Sequence, residues 1–252
     1  MKAPDFARWK QIPLDVERFD YLRDSPLKKF WSDLLVTVVT ALLEVFDRLV
    51  FGLRVVGKKN RKALGKQGAV VVCNHVHWLD CTLLLGAMWP RRQHFISLQS
   101  NLQLPVIRHI VRVGRCMPVP QEIRLLPHFS QAVDQVLSQG RTLNIYPEGW
   151  LEPYHPGLRP FRNGAFSYAR SANVPLLPTC ITFAPRKGIW RWKRRPCMTL
   201  HILPPIYPDP NAPKGSEVIR LRDACFTAMD ACIRANTTMD GRTDKERESA
   251  AP

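Results

Sequence analysis

The stretch that decides the fold runs from Gly68 to Asp80, with the sequence Gly-Ala-Val-Val-Val-Cys-Asn-His-Val-His-Trp-Leu-Asp. Residues Ala69–Cys73 form a continuous apolar run of strand length, and apolar residues on both faces are typical of a central strand that helices cover on both sides. Polar residues follow at once, and residues 80–89 have a helical pattern that ends at Pro90. A strand, a polar turn and a helix in this order indicate an α/β fold.

The alternation of apolar runs and helical patterns continues along the chain. We predict further strands over residues 53–56, 94–98, 142–146, 175–183 and 198–203. We predict further helices over residues 104–113, 123–139, 163–172 and 217–235. Strands that alternate with helices favour a mainly parallel central sheet flanked by helices.

Charge and composition restrict the class of protein. The 252 residues include 37 Lys+Arg against 21 Asp+Glu, a formal net charge of +16 at pH 7. This excess favours an acidic partner, for which nucleic acid, an anionic membrane and a phosphorylated substrate are the candidates. The hydrophobic fraction of 45% excludes a wholly disordered chain. The seven cysteines form no CxxC pair, which argues against a disulfide framework or a zinc ribbon and favours a reducing, cytosol-facing location.

Residues 30–51 are strongly apolar, but their uncharged run covers only Leu34–Leu43. As a helix this run is ~15 Å long, half of a ~30 Å hydrocarbon core, which argues against a transmembrane span. Two interpretations stay open: a helix buried in the protein, and an interfacial or re-entrant membrane anchor. Aromatic residues at both ends of the segment favour the second. We therefore expect a helical membrane-associating segment (1–52), a main domain (53–236) and a disordered polar tail (237–252).

Two basic segments stand out in the main domain. Residues 58–66 are expected to form a basic loop, either solvated or in contact with anionic headgroups. In residues 186–195 tryptophans alternate with cations, which favours a membrane-surface loop over a solvated loop or a site for single-stranded nucleic acid. No nucleic-acid fold signature accompanies it, so we expect no such partner. The residues that we assign to the membrane surface are Trp190, Arg191, Trp192, Lys193, Arg194 and Arg195.

His75 and Asp80 form the main candidate for chemistry. On one helix, residues five apart point ~140° away from each other. The two side chains can meet only if His75 lies in the strand-to-helix turn and Asp80 in the first turn of the helix. A carboxylate bonded to one imidazole nitrogen leaves the other nitrogen as a base. Alternatively, Asp80 is a plain helix cap, His75 a turn residue, or His77 the base. No nucleophile elbow is visible, so the base would act on a substrate hydroxyl directly.

A second polar group follows the strand at 142–146, in the sequence Tyr146-Pro147-Glu148-Gly149. Pro and Gly are ordinary turn residues, and a simple turn is one interpretation. However, active sites of α/β proteins gather polar groups at the carboxyl ends of strands. Farther along the chain come Arg-Pro-Phe-Arg-Asn-Gly-Ala (159–165) and Asn-Val-Pro-Leu-Leu-Pro (173–178).

Taken in order, Asn74-His75-x4-Asp80, Tyr-Pro-Glu-Gly, Phe-Arg-x-Gly-Ala and Val-Pro-Leu-Leu-Pro resemble the glycerolipid acyltransferase family. The best-known members of that family are the 1-acylglycerol-3-phosphate O-acyltransferases. The similarity extends over roughly residues 55–205. The resemblance implies that His75 is the general base and that Asp80 orients it. It also implies that Glu148 and Gly149, together with Asn74, help to bind the acyl acceptor.

The resemblance further implies the substrates. The acyl donor is acyl-CoA or an acyl carrier protein, which serves as co-substrate, and no further cofactor or metal is expected. An N-terminal pair of helices that dips into one leaflet suits residues 30–51. The basic segment 186–195 would also attract the phosphates of acyl-CoA or an acidic carrier protein.

Two positions depart from the family pattern. Pro120 stands where family members usually have an arginine, and Trp150-Leu151 stands where they usually have Thr-Arg after Glu-Gly. Those arginines are expected to hold the phosphate of the acceptor. The candidates to replace them are Arg115, Arg159 and Arg162.

We therefore predict an O-acyltransferase that is membrane-associated, either monotopic or peripheral. Its acceptor is a lysophospholipid, with 1-acylglycerol 3-phosphate as the first choice. A related enzyme with a different lyso-lipid acceptor is the second hypothesis. A non-enzymatic basic protein that binds membranes or nucleic acid is the third.

Overall fold

A computed structural model describes residues 12–22, 26–105 and 107–238. The polar tail predicted over 237–252 therefore lies almost entirely outside the described residues. Seven strands form one sheet: β1 Arg54–Val56, β2 Ala69–Cys73, β3 Gln93–Leu98, β4 Cys116–Val119, β5 Thr142–Ile145, β6 Leu176–Ala184 and β7 Cys197–Ile202. Their order is β1-β7-β6-β2-β5-β3-β4, and every neighbouring pair is parallel except β6 and β7. The predicted mainly parallel sheet is confirmed.

Helices surround the sheet. They are α1 Pro26–Phe51, α2 Lys58–Ala63, α3 Asp80–Met88, α4 Gln99–Gln103, α5 Ile107–Val113, α6 Leu126–Ser138, α7 Gly164–Ser171 and α8 Lys214–Asn236. Two 3₁₀ turns cover Ile123–Leu125 and Gly188–Trp192.

Three details differ from the sequence-based expectations. Strand β4 was not predicted, because Pro118 lies within its four residues and prolines are rare inside strands. The expected basic loop at 58–66 begins as helix α2, which starts after Gly57. The helix expected over 104–113 is α5, which begins only at Ile107, and the short helix α4 before it was not predicted.

Strand β2 lies at the centre of the sheet, between β5 and β6. All five of its residues are fully buried. Val70 and Val72 pack into the hydrophobic cluster shared with α6, α7 and α8, whereas Val71 and Cys73 pack into the cluster shared with α3. Burial on both faces explains the continuous apolar sequence of β2.

Residues 30–51 belong to one helix, α1. This helix packs along α3. On its packed side the buried carboxyl of Asp47 accepts a hydrogen bond of 3.1 Å from the Thr82 hydroxyl. On its other side large apolar residues are exposed, with Leu42 at 68%. These residues are Phe30, Trp31, Leu34, Leu35, Val38, Leu42, Val45, Phe46, Leu49 and Val50. The alternative of a fully buried helix is therefore wrong. Among the described residues, we find no helix with the length and hydropathy needed to cross a membrane.

Candidate active site

The turn between β2 and α3 brings His75 and Asp80 together. The distance from His75 Nδ1 to Asp80 Oδ2 is 3.0 Å. The same Oδ2 atom accepts hydrogen bonds from the backbone N–H groups of Val76 (2.7 Å) and His77 (2.9 Å). The Asp80 side chain is 0% exposed. Asp80 thus binds the turn that precedes the helix rather than capping the N–H groups inside it, as a plain helix cap would.

The contact with Asp80 determines which nitrogen of His75 carries the proton. A carboxylate oxygen only accepts, so Nδ1 is the donor and Nε2 keeps its lone pair. The imidazole also stacks on the ring of Tyr146, at 4.1 Å between centroids and 15° between planes. The His75 side chain is 24% exposed. The ring is therefore held on one face and at one nitrogen, which is the arrangement that a general base needs.

His77 is a weaker candidate for the base. Its Nδ1 atom already accepts the N–H of Leu79 at 3.1 Å. Its ring packs edge-on against Phe51 and Tyr154, at 4.9 and 5.7 Å between centroids. Burial lowers the pKa of His77 below its usual value. These contacts give His77 a place in the wall of the site.

Glu148 and Arg159 form a buried ion pair behind the turn between β2 and α3. Glu148 Oε2 lies 3.5 Å from the backbone nitrogen of His75 and accepts its N–H. Arg159 Nη2 donates to the carbonyl oxygens of Trp150 (2.5 Å) and His75 (3.4 Å). Burial raises the pKa of the Glu148 carboxyl, and hydrogen bonding to Arg159 opposes that rise. The pair therefore attaches the turn containing His75 to the turn that follows β5.

Asn74 links β2 to β6 just before His75. Its side-chain amide donates to the carbonyl of Ile181 at 3.0 Å and accepts the N–H of Ile181 at 2.8 Å. The side chain is fully buried. The structure therefore shows Asn74 positioning the strand end, and its contact with substrate stays a prediction.

Gly149 and Arg162 lie at the margin of the site. Gly149 has φ +86°, a backbone conformation that favours glycine, and a Cβ atom there would lie 2.7 Å from Arg162 Nε and displace that side chain. The Arg162 guanidinium is exposed and lies 6.0 Å from the centroid of the Trp150 ring. Within the described residues Arg162 has no acidic partner. Its role as a substrate-binding residue stays a prediction.

Arg115 is not brought to the site. Strand register aligns Cys116 of β4, through β3 and β5, with Val71 of β2. Arg115 therefore lies about five residues before the level of His75 and three strands away, or roughly 16 Å along the strands and roughly 14 Å across them. Its guanidinium pairs with Asp33 of α1. The structure places Arg115 away from His75, because the residue precedes β4 whereas His75 follows β2, and its contact with the acceptor stays a prediction.

The basic segment 186–195 packs against the end of α1. The Trp190 indole N–H donates to the carbonyl of Leu49 at 2.9 Å. Trp192 is 76% exposed, and Arg191, Arg194 and Arg195 are also exposed. Lys193 does not share this exposure, because its side chain is buried. It therefore does not belong to the surface group to which the sequence assigned it.

Sequence reasoning missed three aromatic residues of the site: Phe51, Tyr146 and Tyr154. Tyr146 had a local signal, since it directly precedes Pro147 and Glu148. Tyr154 lies in the insert after Trp150, where its N–H donates to the carbonyl of Val76 at 2.9 Å. Such a contact between distant loops has no local sequence signal.

Comparison with known proteins identifies the family. The model of the Acyltransferase family matches residues 52–182, about half of the chain, including the whole strand-turn-helix unit. The chain belongs to the Acyltransferase family. It is therefore an acyltransferase rather than the non-enzymatic binding protein that charge alone left open.

Relatives and a solved structure agree with this assignment. The 1-acyl-sn-glycerol-3-phosphate acyltransferase of Escherichia coli is 25% identical over 193 residues, which cover 75% of this chain and 77% of the relative. The Salmonella typhimurium protein of the same name matches to the same extent. The crystal structure of the 1-acyl-sn-glycerophosphate acyltransferase PlsC from Thermotoga maritima has a TM-score of 0.58 at 20% identity, covering 79% of this chain and 80% of that one. This last match shows that the fold is shared.

The ion pair behind the turn gives a stability prediction. Replacing Arg159 with Met leaves Glu148 buried and without its partner, and we expect the free energy of unfolding to fall by about 3–5 kcal/mol. Loss of the arginine raises the pKa of Glu148 further above its usual value. A raised carboxyl pKa favours the folded state at low pH, so the deficit should be larger at pH 8 than at pH 5. Denaturant unfolding at both pH values measures this.

Two further variants serve as controls for Arg159→Met. Adding Glu148→Gln removes the buried charge and should recover much of the lost stability. Arg48→Met breaks the exposed pair with Glu44 and should cost no more than about 1 kcal/mol. A deficit that does not depend on pH, or that Glu148→Gln does not reduce, would contradict the proposed burial of this charge.

Proposed function

We propose that the enzyme transfers an acyl chain from acyl-CoA or acyl carrier protein to the free hydroxyl of a lysophospholipid. The first candidate acceptor is 1-acylglycerol 3-phosphate, which would give phosphatidic acid. The observation that carries this proposal is the 3.0 Å contact of His75 Nδ1 with the buried Asp80 carboxylate. The names of the bacterial relatives support the choice of acceptor.

The proposed reaction is direct transfer with His75 as general base. Nε2 of His75 takes the proton of the acceptor hydroxyl, and the oxygen attacks the carbonyl carbon of the thioester. The carbon–sulfur bond of the tetrahedral intermediate then breaks, giving an ester and a thiolate. The imidazolium returns its proton to the thiolate. Asp80 supports the imidazolium through Nδ1 while it carries the extra charge.

The turn at 148–150 is our candidate source of donors for the oxyanion. Backbone N–H groups at such a turn can stabilise the negative oxygen of the intermediate. Arg159 holds this turn next to His75 through the carbonyls of Trp150 and His75. Glu148 and Arg159 are therefore proposed as positioning residues, and Arg162 as the residue that meets the acceptor headgroup.

A different lyso-lipid acceptor is the second candidate function. It is favoured by the positions of the three arginines that were proposed to replace the phosphate-binding arginines of the family. Arg115 lies beside the edge strand β4, where it pairs with Asp33. Arg159 forms an ion pair with Glu148. Only Arg162 of the three is exposed beside the Glu-Gly turn. A site with fewer cations for the headgroup would accept a lyso-lipid without a phosphate monoester.

The function is tested by acyl transfer from purified protein in detergent. We expect His75→Ala to lower kcat by about 100-fold or more, because the base is lost. Asp80→Asn should also lower kcat, because Nδ1 loses its carboxylate. His109→Ala, an exposed histidine on α5, serves as the matched control and should keep wild-type activity. Thioester consumption with a panel of lyso-lipids measures all three.

Each outcome of this assay has a distinct meaning. Turnover with 1-acylglycerol 3-phosphate that is lost in His75→Ala supports the first acceptor. Turnover only with another lyso-lipid supports the second. If His75→Ala keeps more than a tenth of the wild-type rate, His75 is not the general base.

We also propose that the enzyme lies on an anionic, cytosol-facing membrane surface. The apolar face of α1 and the segment 186–195 support this. The hydrogen bond from Trp190 to Leu49 joins the two into one surface. Cations beside exposed apolar and aromatic residues suit a leaflet that contains acidic lipids.

Substitution of one residue on the apolar face tests this proposal. Leu42→Glu should weaken binding to phosphatidylglycerol-containing vesicles about 10-fold or more, because an exposed Leu is lost from the buried interface and a negative charge is added. Ile219→Glu is the matched control, since Ile219 is an exposed residue on α8. Vesicle co-sedimentation measures both. Equal binding by the two variants would contradict the assignment of α1 as the membrane face.

A further inference from the structure

Lys193 is unusual among the cations of this protein. Its side chain is only 8% exposed, although residues on both sides of it in the chain are exposed. Its ammonium group has no hydrogen-bond acceptor, and no carboxylate in the described part of the chain pairs with it. Burial lowers the pKa of the Lys193 ammonium below its usual value. A buried ammonium without a counter-charge is costly, and an anion that binds there would relieve this cost.

The position of Lys193 connects it to the active site. Its Nζ atom lies 6.0 Å from the centroid of the Phe51 ring. That ring lies 4.9 Å from the ring of His77, two residues after His75. The charge of Lys193 also contributes to the lowered pKa of His77, after burial. Lys193 therefore lies in the wall of the site and not on the outer surface.

Arg195 lies on the other aromatic neighbour of His77. Its guanidinium carbon is 4.8 Å from the centroid of the Tyr154 ring, and that ring is 5.7 Å from the ring of His77. Arg195 is exposed, and no acidic side chain among the described residues forms an ion pair with it. Two cations without acidic partners thus flank the turn that carries the base.

We propose that Lys193 and Arg195 bind a phosphate group of a substrate beside His77. This inference rests on the proposed function, in which a CoA donor and a lysophosphatidate acceptor both carry phosphate. A phosphate offers several acceptor oxygens and up to two negative charges, which match two cations. Because Arg195 is exposed and Lys193 is buried, the phosphate meets Arg195 first and Lys193 once it is seated.

Equilibrium binding to two matched pairs of ligands tests the proposal. The first pair is CoA and pantetheine, and the second is 1-acylglycerol 3-phosphate and 1-acylglycerol in detergent. Within each pair only one member carries phosphate. We expect Lys193→Met to weaken binding of the phosphate-bearing member of one pair about 10- to 100-fold, as loss of a charge-assisted contact does. Kd values for pantetheine and 1-acylglycerol should not change.

The pair that responds identifies the source of the phosphate. Weaker binding of CoA assigns the site to the donor, and weaker binding of 1-acylglycerol 3-phosphate assigns it to the acceptor. Both results support the proposal. Equal Kd values in wild type and Lys193→Met for all four ligands overturn it, and so does an equal loss for ligands without phosphate.

Further variants separate binding from folding and from catalysis. Lys187→Met is the matched control, an exposed lysine in the same segment, and should bind all four ligands as wild type does. Lys193→Met should keep or raise Tm, because it removes an unpaired buried charge. If it does not fold, Arg195→Gln, at an exposed position, tests the same site and should also weaken binding of the phosphate-bearing ligand. In turnover, Lys193→Met should raise KM and leave kcat nearly unchanged.

This experiment keeps the two proposals distinguishable. If wild-type protein transfers no acyl chain to any acceptor, the proposed function fails, but the binding comparison still tests the phosphate site. If acyl transfer is present and Lys193→Met and Arg195→Gln bind all ligands normally, the phosphate site fails alone.

Discussion

The Oδ2 atom of Asp80 accepts three hydrogen bonds, from the His75 imidazole and from the backbone N–H groups of Val76 and His77. These bonds fold the residues between β2 and α3 into one tight turn and set the proton position on His75. One carboxylate therefore performs a structural and a chemical task. Because it is fully buried, its orientation cannot relax into water, and the imidazole is held in place before any substrate arrives.

The sheet determines where this turn lies. Parallel strands β2 and β5 end at the same edge, so Glu148 comes to the backbone of His75 and Arg159 follows it. On the other side of β2, Asn74 binds the backbone of Ile181 in β6. The turn that carries His75 is thus fixed to both neighbouring strands, and none of these contacts involves the Nε2 atom of His75.

Local patterns predicted much of this arrangement. The buried strand, the turn and the His75–Asp80 contact follow from residues that are close in sequence. The partners of the arginines could not be predicted from the sequence. Arg159 pairs with a residue eleven positions away in the chain, and Arg115 pairs with a residue on α1. A single sequence does not specify such pairings. The burial of Lys193 was equally hidden, since its neighbours in the chain are exposed and form an ordinary basic pattern.

We infer that Asp80 holds His75 with its proton on Nδ1, which leaves Nε2 as the base. Nitrogen-15 NMR of histidine-labelled protein, with His75→Ala used to assign the signal, measures this most directly. At a pH where His75 is neutral, we predict a protonated Nδ1 and a bare Nε2 in the wild type, and loss of this preference in Asp80→Asn. A wild-type His75 protonated on Nε2, or one whose tautomers are the same in Asp80→Asn, would contradict the account.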